Sequence, residues 1–160
     1  MLRLLVLTAL ISSPLAAVEL RTERDVAYVA DCHERQKLGV YAPTEGQDRP
    51  VLVFIHGGGW RRGEKTLPPV KVNALAEHGF VTVSIAYRYF PDVTVKQMMG
   101  DVAKAIRWVR DHAKEYGGDP DKLFVMGHSA GAHLAALVCT DDRFLKAEGV
   151  PLASIRGCIP

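Results

Sequence analysis

Apolar residues along the chain fall into two patterns: short unbroken runs, and longer segments in which they recur every three or four positions. The unbroken runs predict buried strands, at residues 51–55, 80–86, 123–126 and 155–159. The periodic segments predict helices, at residues 67–78, 101–116 and 132–138. Strands that alternate with helices favour a mostly parallel sheet between layers of helices, so the predicted fold class is three-layer α/β in a single domain.

The N-terminal part of the chain combines a leader-like segment with two short β-like runs. Residues 1–17 carry an early Arg3, an apolar run and then small residues, which predicts a secretory signal peptide. The predicted mature protein is then residues 18–160, secreted or periplasmic. Its leader is too short for stable membrane insertion, although an uncleaved anchor or a buried strand is the alternative. Residues 25–30 and 37–41 flank a polar turn and predict an antiparallel hairpin at the sheet edge.

Composition and charge narrow the classes of partner. The chain is 48% hydrophobic and 24% charged, with a net charge of +2, which suits a globular protein and argues against a nucleic-acid partner. Arg61 and Arg62 are expected to form a solvated loop end, with contact to an anionic substrate group as the alternative. Neither composition nor spacing indicates an oligomeric state.

Three cysteines, an odd number, cannot all pair within the chain. Cys139 and Cys158 lie among apolar residues and are expected to be buried small hydrophobes. Cys32 is the candidate for a disulfide with a cysteine outside this sequence, in an oxidising compartment. It is followed directly by His33 and Glu34, a spacing unlike that of metal ligands, so no metal site is predicted.

A catalytic serine is predicted where an apolar run meets a small-residue helix, at Gly127-His128-Ser129-Ala130-Gly131. A serine on a sharp strand-to-helix turn needs neighbours without bulk, and glycines stand two residues before and two after it. Ser129 is the candidate nucleophile, and the amide of Ala130 at the helix N-terminus is a candidate oxyanion donor. The alternative is that Ser129 only caps the helix.

A second motif follows the first parallel strand, at His56-Gly57-Gly58-Gly59-Trp60. Consecutive glycines let backbone amides converge on one point, and Gly58 and Gly59 are the candidates to complete the oxyanion hole. The alternative, a phosphate-binding turn, lacks the required glycine spacing. Trp60 and the later Tyr87 are candidates for contact with the substrate, or else aromatic residues of the core or rim.

These two motifs, in this order, resemble the α/β-hydrolase superfamily and its esterase and lipase group. That group includes carboxylesterases, hormone-sensitive-lipase-like enzymes and kynurenine-formamidase-like enzymes. The resemblance covers residues 39–160, with Gly39 where the family commonly has an aspartate. It implies hydrolysis of a small carboxylic ester, or of an aryl amide, through an acyl-enzyme on Ser129, without a metal or organic cofactor.

The catalytic base and its acid are not found where the resemblance places them. The family order is serine, then acid, then histidine, but the only histidine after Ser129 is His133, four residues along the same helix. The elbow should turn the serine away from it. We therefore expect an N-terminal portion of a longer hydrolase, truncated after the strand at residues 155–159, inactive and poorly soluble by itself. A non-catalytic member of the fold that binds a small ligand is the alternative.

Overall fold

The computed structural model describes residues 18–160, so the predicted signal peptide lies outside the described residues. The strands of the sheet are β1 Leu20–Ala27, β2 Lys37–Pro43, β3 Arg49–Ile55, β4 Val81–Ile85, β5 Gly118–Gly127 and β6 Ile155–Ile159. The α-helices are α1 Pro69–Glu77, α2 Val95–His112, α3 Ala130–Thr140 and α4 Arg143–Ala147. Short 3₁₀ turns follow α2 and precede β6, at Ala113–Tyr116 and Leu152–Ser154. Within this part of the chain, no helix combines the length and the apolar character that crossing a membrane requires.

The strands form one mixed sheet in the order β1-β2-β4-β3-β5-β6. The hairpin predicted at the N-terminus is present, because β1 pairs antiparallel with β2, which pairs antiparallel with β4. The remaining neighbours, β4, β3, β5 and β6, run parallel. Each parallel neighbour is reached through a connection that contains a helix, as parallel pairing requires. The predicted mostly parallel α/β sheet is confirmed.

The register of the central strands brings two loops together. Ile55, at the end of β3, lies opposite Gly127, at the end of β5. Because both strands run in the same direction, their carboxyl ends meet at one edge of the sheet, and the segments that follow them start side by side. The two motifs singled out in the sequence are those segments.

Helices cover both faces of the sheet. Alternate residues of a strand point to opposite faces, and in β3 Val53 and Ile55 point to one face while Phe54 points to the other. Helices α2, α3 and α4 pack together on the first face and bury the larger core. Helix α1 packs on the second face, where Leu67 and Val72 contact Tyr41. The three layers are helix, sheet and helix.

Several element boundaries differ from the sequence prediction. Helix α2 begins at Val95, six residues before the predicted start, because Thr94 and Gln97 form a capping box in which each side chain bonds the other residue's backbone N–H. Strand β5 begins at Gly118, well before the apolar run at residues 123–126 that predicted it. The predicted strand at residues 155–159 is present as β6, which is the last strand of the described sheet, and Ile159 is 46% exposed.

The cysteines also differ from prediction. Cys139 is only half-buried and Cys158 is exposed, so neither is a fully buried hydrophobe. Cys32 is half-buried, and no disulfide joins any of the three cysteines in the described part of the chain.

Candidate active site

Ser129 lies on a strained turn between β5 and α3. Its backbone angles are φ 53° and ψ −117°, a left-handed φ that residues other than glycine seldom adopt. The side chain is exposed and makes no capping hydrogen bond to the helix. The interpretation of Ser129 as a simple helix cap is therefore wrong. Strain of this kind persists where surrounding structure enforces it and is concentrated at functional sites.

The surrounding structure that enforces the turn is main chain. A Cβ on Gly131 would overlap the carbonyl groups of Ile55 and His56, and a Cβ on Gly127 would overlap the backbone of Gly131. The start of α3 is thus pressed directly against the end of β3, at contact distances that only glycine permits. The spacing of glycines around Ser129 is explained by these two contacts.

The glycine-rich loop after β3 lies against the turn. The amide of His128 donates to the carbonyl of Ile55 at 3.1 Å. A Cβ built on Gly57 would lie 2.7 Å from the carbonyl oxygen of His128 and 3.1 Å from Cβ of Ser129. The two motifs, separated by about seventy residues in sequence, are therefore in contact, and the loop borders Ser129 directly.

Three backbone amides, two in the glycine-rich loop and one at the start of α3, have no backbone acceptor in the described part of the chain. Within residues 18–160, the N–H groups of Gly58, Gly59 and Ala130 donate to no backbone oxygen outside their own helix or strand. Gly58 and Gly59 adopt φ values of 126° and 62°, and a side chain on Gly59 would meet nothing within 4 Å. The carbonyl of Gly58 accepts from the amides of Arg61 and Arg62, both at 3.2 Å, which turns the loop back on itself. Unpaired donors beside an exposed hydroxyl are the components of an anion-stabilising site.

His56 anchors the base of this loop. Its ring is buried, Nδ1 lies 2.7 Å from the carbonyl oxygen of Gly57, and the ring stacks on Tyr87 with centroids 4.5 Å apart. A carbonyl can only accept, so the proton of the neutral ring lies on Nδ1. Burial lowers the pKa of His56 below its ordinary value of 6.5, which keeps the ring neutral at pH 7. The ring thus orients the loop by a hydrogen bond.

Tyr87 supports the loop from beneath and does not face the site. It is fully buried, and its hydroxyl donates to the carbonyl of His56 at 3.0 Å. The expectation that Tyr87 contacts the substrate is corrected by this burial, because a side chain with no exposed surface offers a ligand nothing to touch. The alternative, a core aromatic residue, is the one observed.

Trp60 remains beside the site. It has a left-handed φ of 58°, its carbonyl accepts from the amide of Phe90 at 2.8 Å, and its ring is half-buried. The indole lies edge-on to His133, with ring centroids 5.6 Å apart at 84°. His133 therefore contacts the indole, and no hydrogen bond joins it to Ser129 in the described part of the chain.

Asp101 is a residue of the site's support that sequence reasoning missed. Its carboxylate is fully buried and accepts from Arg88 through the backbone N–H at 3.1 Å, Nε at 2.8 Å and Nη2 at 2.7 Å. It also accepts from Gln36 at 2.8 Å. These bonds hold the segment that follows β4, from which Tyr87 reaches His56. The sequence feature that could have identified Asp101 is its place on the apolar face of α2, between Met98 and Val102.

Acid groups and metal ligands are sparse around the serine. Residues 18–160 contain no group of three or more His, Cys, Asp or Glu side chains able to hold a metal ion. The acids of α3's C-terminal end are engaged at the surface, since Asp141 pairs with Arg143 and Asp142 with Lys146. The hydrogen bond from Arg143 holds the pKa of Asp141 below its ordinary value. These acids therefore sit at the far end of α3 from Ser129.

Comparison with known proteins identifies the class to which this fold and site belong. The sequence model of the BD-FAE family matches residues 38–149, which include both motifs, and the chain belongs to this family. Its place is in the esterase and lipase group of the α/β-hydrolase superfamily, as the two motifs indicated. The resemblance stated from the sequence is confirmed.

Individual relatives are esterases by name. A probable isoprenylcysteine alpha-carbonyl methylesterase of Arabidopsis thaliana is 39% identical over 107 residues, which cover 66% of this chain and 22% of the relative. A probable carboxylic ester hydrolase of Mycobacterium tuberculosis, LipM, is 45% identical over 100 residues, which cover 59% of this chain and 23% of the relative. The chain thus spans about a quarter of the length of these curated relatives.

Solved structures give the same assignment. Inhibited esterase B from Lactobacillus rhamnosis superposes with a TM-score of 0.70 at 29% identity, covering 82% of this chain and 44% of that one. A bacterial heroin esterase superposes with a TM-score of 0.64 at 28% identity, covering 88% of this chain and 44% of that one. The described fold matches under half of each esterase.

Proposed function

We propose that the protein is a serine hydrolase that cleaves small carboxylic esters through an acyl-enzyme on Ser129. The observation that carries the proposal is the exposed hydroxyl of Ser129 on a strained turn, beside three unpaired amides of Gly58, Gly59 and Ala130. The named relatives and structural neighbours, which are esterases, support the choice of an ester bond.

The proposed reaction has two halves. Ser129 Oγ attacks the ester carbonyl and gives its proton to a base, while the amides of Gly58, Gly59 and Ala130 stabilise the oxyanion. The tetrahedral intermediate collapses, the alcohol leaves with that proton, and an acyl ester remains on the serine. Water then attacks this ester and releases the carboxylic acid, which restores the hydroxyl.

The base is the part of the mechanism that the described residues do not supply. His133 packs against Trp60, and His56 is buried with Nδ1 on the Gly57 carbonyl. We therefore place the catalytic histidine and its acid outside residues 18–160. The proposal needs no cofactor for either half of the reaction, because serine, base and oxyanion donors suffice.

The substrate preference is tested with paired substrates. We expect the full protein to hydrolyse p-nitrophenyl acetate and butyrate faster than N-formyl aryl amides. The reverse order would replace the ester proposal with an amide hydrolase. Hydrolysis of neither class, with a small ligand still bound, would favour a non-catalytic member of the fold.

The role of Ser129 is tested by substitution and labelling. Ser129→Ala should lower kcat about 10⁴-fold or more, as loss of a catalytic serine does. Thr140→Ala, at the other end of α3, is the matched control and should keep the activity. A fluorophosphonate should label the tryptic peptide that ends at Arg143, at Ser129 alone. Labelling elsewhere, or activity that survives Ser129→Ala, would contradict the mechanism.

A further inference from the structure

Cysteines 139 and 158 come from different elements and meet on one face of the sheet. Cys158 of β6 lies opposite Val125 of β5 in the register. Neighbouring residues in register point to the same face, and Val125 is buried in the core beneath α3. Cys158 therefore points toward α3, although its strand lies at the sheet edge.

The thiol of Cys158 reaches the helix backbone next to the position of Cys139. Its Sγ donates to the carbonyl of Ala135 at 3.5 Å. Cys139 lies four residues after Ala135, and on a helix residues four apart share one face. Side chains of a helix lean toward its N-terminus, so the thiol of Cys139 leans back toward the turn that Cys158 contacts.

The ionisation of Cys139 agrees with this placement. Burial, followed by a hydrogen bond and a charge interaction with the Cys158 thiol, raises the pKa of Cys139 to about 12. Among the described residues no carboxylate or cation contributes to that shift, although α3 packs against β5, β6 and α2. After burial, the group that raises the pKa of Cys139 is the other thiol.

Cys32 does not belong to this cluster. It precedes β2, near the edge of the sheet opposite to β6. Five strand spacings separate the two edge strands, which is about 24 Å, far beyond the ~7 Å between Cα atoms that a disulfide tolerates. A pairing within the described chain is therefore selective for Cys139 with Cys158.

We propose that Cys139 and Cys158 form a modification site, a pair of thiols that a small-molecule disulfide converts to an intramolecular disulfide linking the last turn of α3 to β6. This inference does not depend on the proposed hydrolase activity. Its consequence is structural: the bridge ties the helix that begins beside Ser129 to the edge strand of the sheet.

Exchange with oxidised glutathione gives a balanced route to the bridge. The exposed Cys158 thiolate attacks one sulfur of the glutathione disulfide, which releases one glutathione thiolate and leaves a mixed disulfide on Cys158. Cys139 then loses its proton and attacks Sγ of Cys158, which releases the second glutathione. The two protein thiols are oxidised to one disulfide, and one glutathione disulfide is reduced to two glutathione thiols. The two protons that the protein thiols lose are taken up by the two glutathione thiolates.

Peptide mapping tests the proposal on the full protein. After treatment with oxidised glutathione, acid quenching and alkylation, trypsin separates the two cysteines, because Arg143 and Arg156 lie between them. We expect two disulfide-linked peptides, residues 123–143 and the segment that follows Arg156. The mass of the linked species should be that of the two free peptides together, less two hydrogen atoms. Cys32 should be recovered alkylated or as a mixed disulfide.

Three variants separate the steps. Cys139→Ala should stop at a stable glutathione adduct on Cys158, whereas Cys158→Ala should leave the half-buried Cys139 unmodified. Cys32→Ala is the matched control and should form the same linked peptides as the wild type. The proposal would be overturned if the wild-type protein kept the glutathione adduct on Cys158 without forming the disulfide to Cys139, or if it formed a disulfide with Cys32 instead. The wild-type mapping decides even where a variant does not fold.

Discussion

The turn that carries Ser129 and the loop that carries Gly58 and Gly59 lie side by side, but they are held in different ways. The turn is enforced by its own main chain pressed against the end of β3, with Gly131 under the carbonyls of Ile55 and His56. The loop is open toward solvent at Gly59 and is supported by side chains from elsewhere. Ser129 is therefore placed by backbone contact, and the glycine-rich loop by tertiary contacts that a single substitution can weaken.

The largest expected effect comes from adding a methyl group on the turn. Gly131→Ala puts a Cβ into two carbonyl groups of the main chain, which cannot move without separating α3 from β3. We expect a loss of about 3 kcal/mol or more in the free energy of unfolding, the upper end of the overpacking range. Urea denaturation of the purified protein measures it.

The same change on the loop sharpens the comparison. Gly59→Ala meets open space, so its cost is only that of a left-handed φ, about 1–2 kcal/mol. Gly100→Ala, in the middle of α2 with nothing within 4 Å, is the control and should stabilise by about 0.5–1 kcal/mol. Equal losses at Gly131 and Gly59 would contradict a turn held by main-chain contact.

A buried charge beneath the loop should give the next largest effect. Asp101→Asn leaves the partly exposed Arg88 without its carboxylate, for which we expect about 2–3 kcal/mol of destabilisation. Asp111→Asn, on the same helix but in an exposed pair with Arg107, should cost under about 0.5 kcal/mol. Thermal unfolding of both variants measures the two losses of stability. A small loss in Asp101→Asn would show that Asp101 does not support the loop.

A smaller effect is expected from one hydroxyl. Tyr87→Phe keeps the stack on His56 but removes the bond to its carbonyl, which should cost about 1 kcal/mol and lower kcat/KM by loosening the oxyanion loop. Tyr41→Phe is the matched control, because that hydroxyl has no hydrogen-bond partner in residues 18–160. If both variants kept full activity, the stack alone would suffice to hold the loop.

Acid should weaken the loop more than the turn. His56 is kept neutral by burial, so its pKa in the folded protein lies below 6.5. As pH falls through that value, the unfolded chain takes up a proton that the folded chain does not, and the free energy of unfolding declines. We expect the urea midpoint of the wild type to fall as the pH is lowered from 7.5 to 5.5. The fall should be smaller in His56→Gln, and it should equal that of the wild type in the control His78→Gln, whose side chain is exposed.

Local signals were enough for the main elements and for the turn that carries Ser129. Apolar runs located the central strands, because a strand buried on both faces has few polar residues. Gly127 is required within the turn itself, where a Cβ would overlap the backbone of Gly131, whereas Gly131 is required by the distant end of β3. The boundaries failed where a side chain decided them, as Thr94 and Gln97 did at the start of α2.

The sequence by itself determined the α/β class, the strained serine and the family, because each is written in the spacing of neighbouring residues. Only the tertiary structure decided which residues support the site. It placed Tyr87 beneath the loop rather than at its surface, buried Asp101 under Arg88 and brought Cys139 to Cys158. The physical reason is that these contacts join residues far apart in the chain, and strand order and register, which no local pattern records, determine which of them meet.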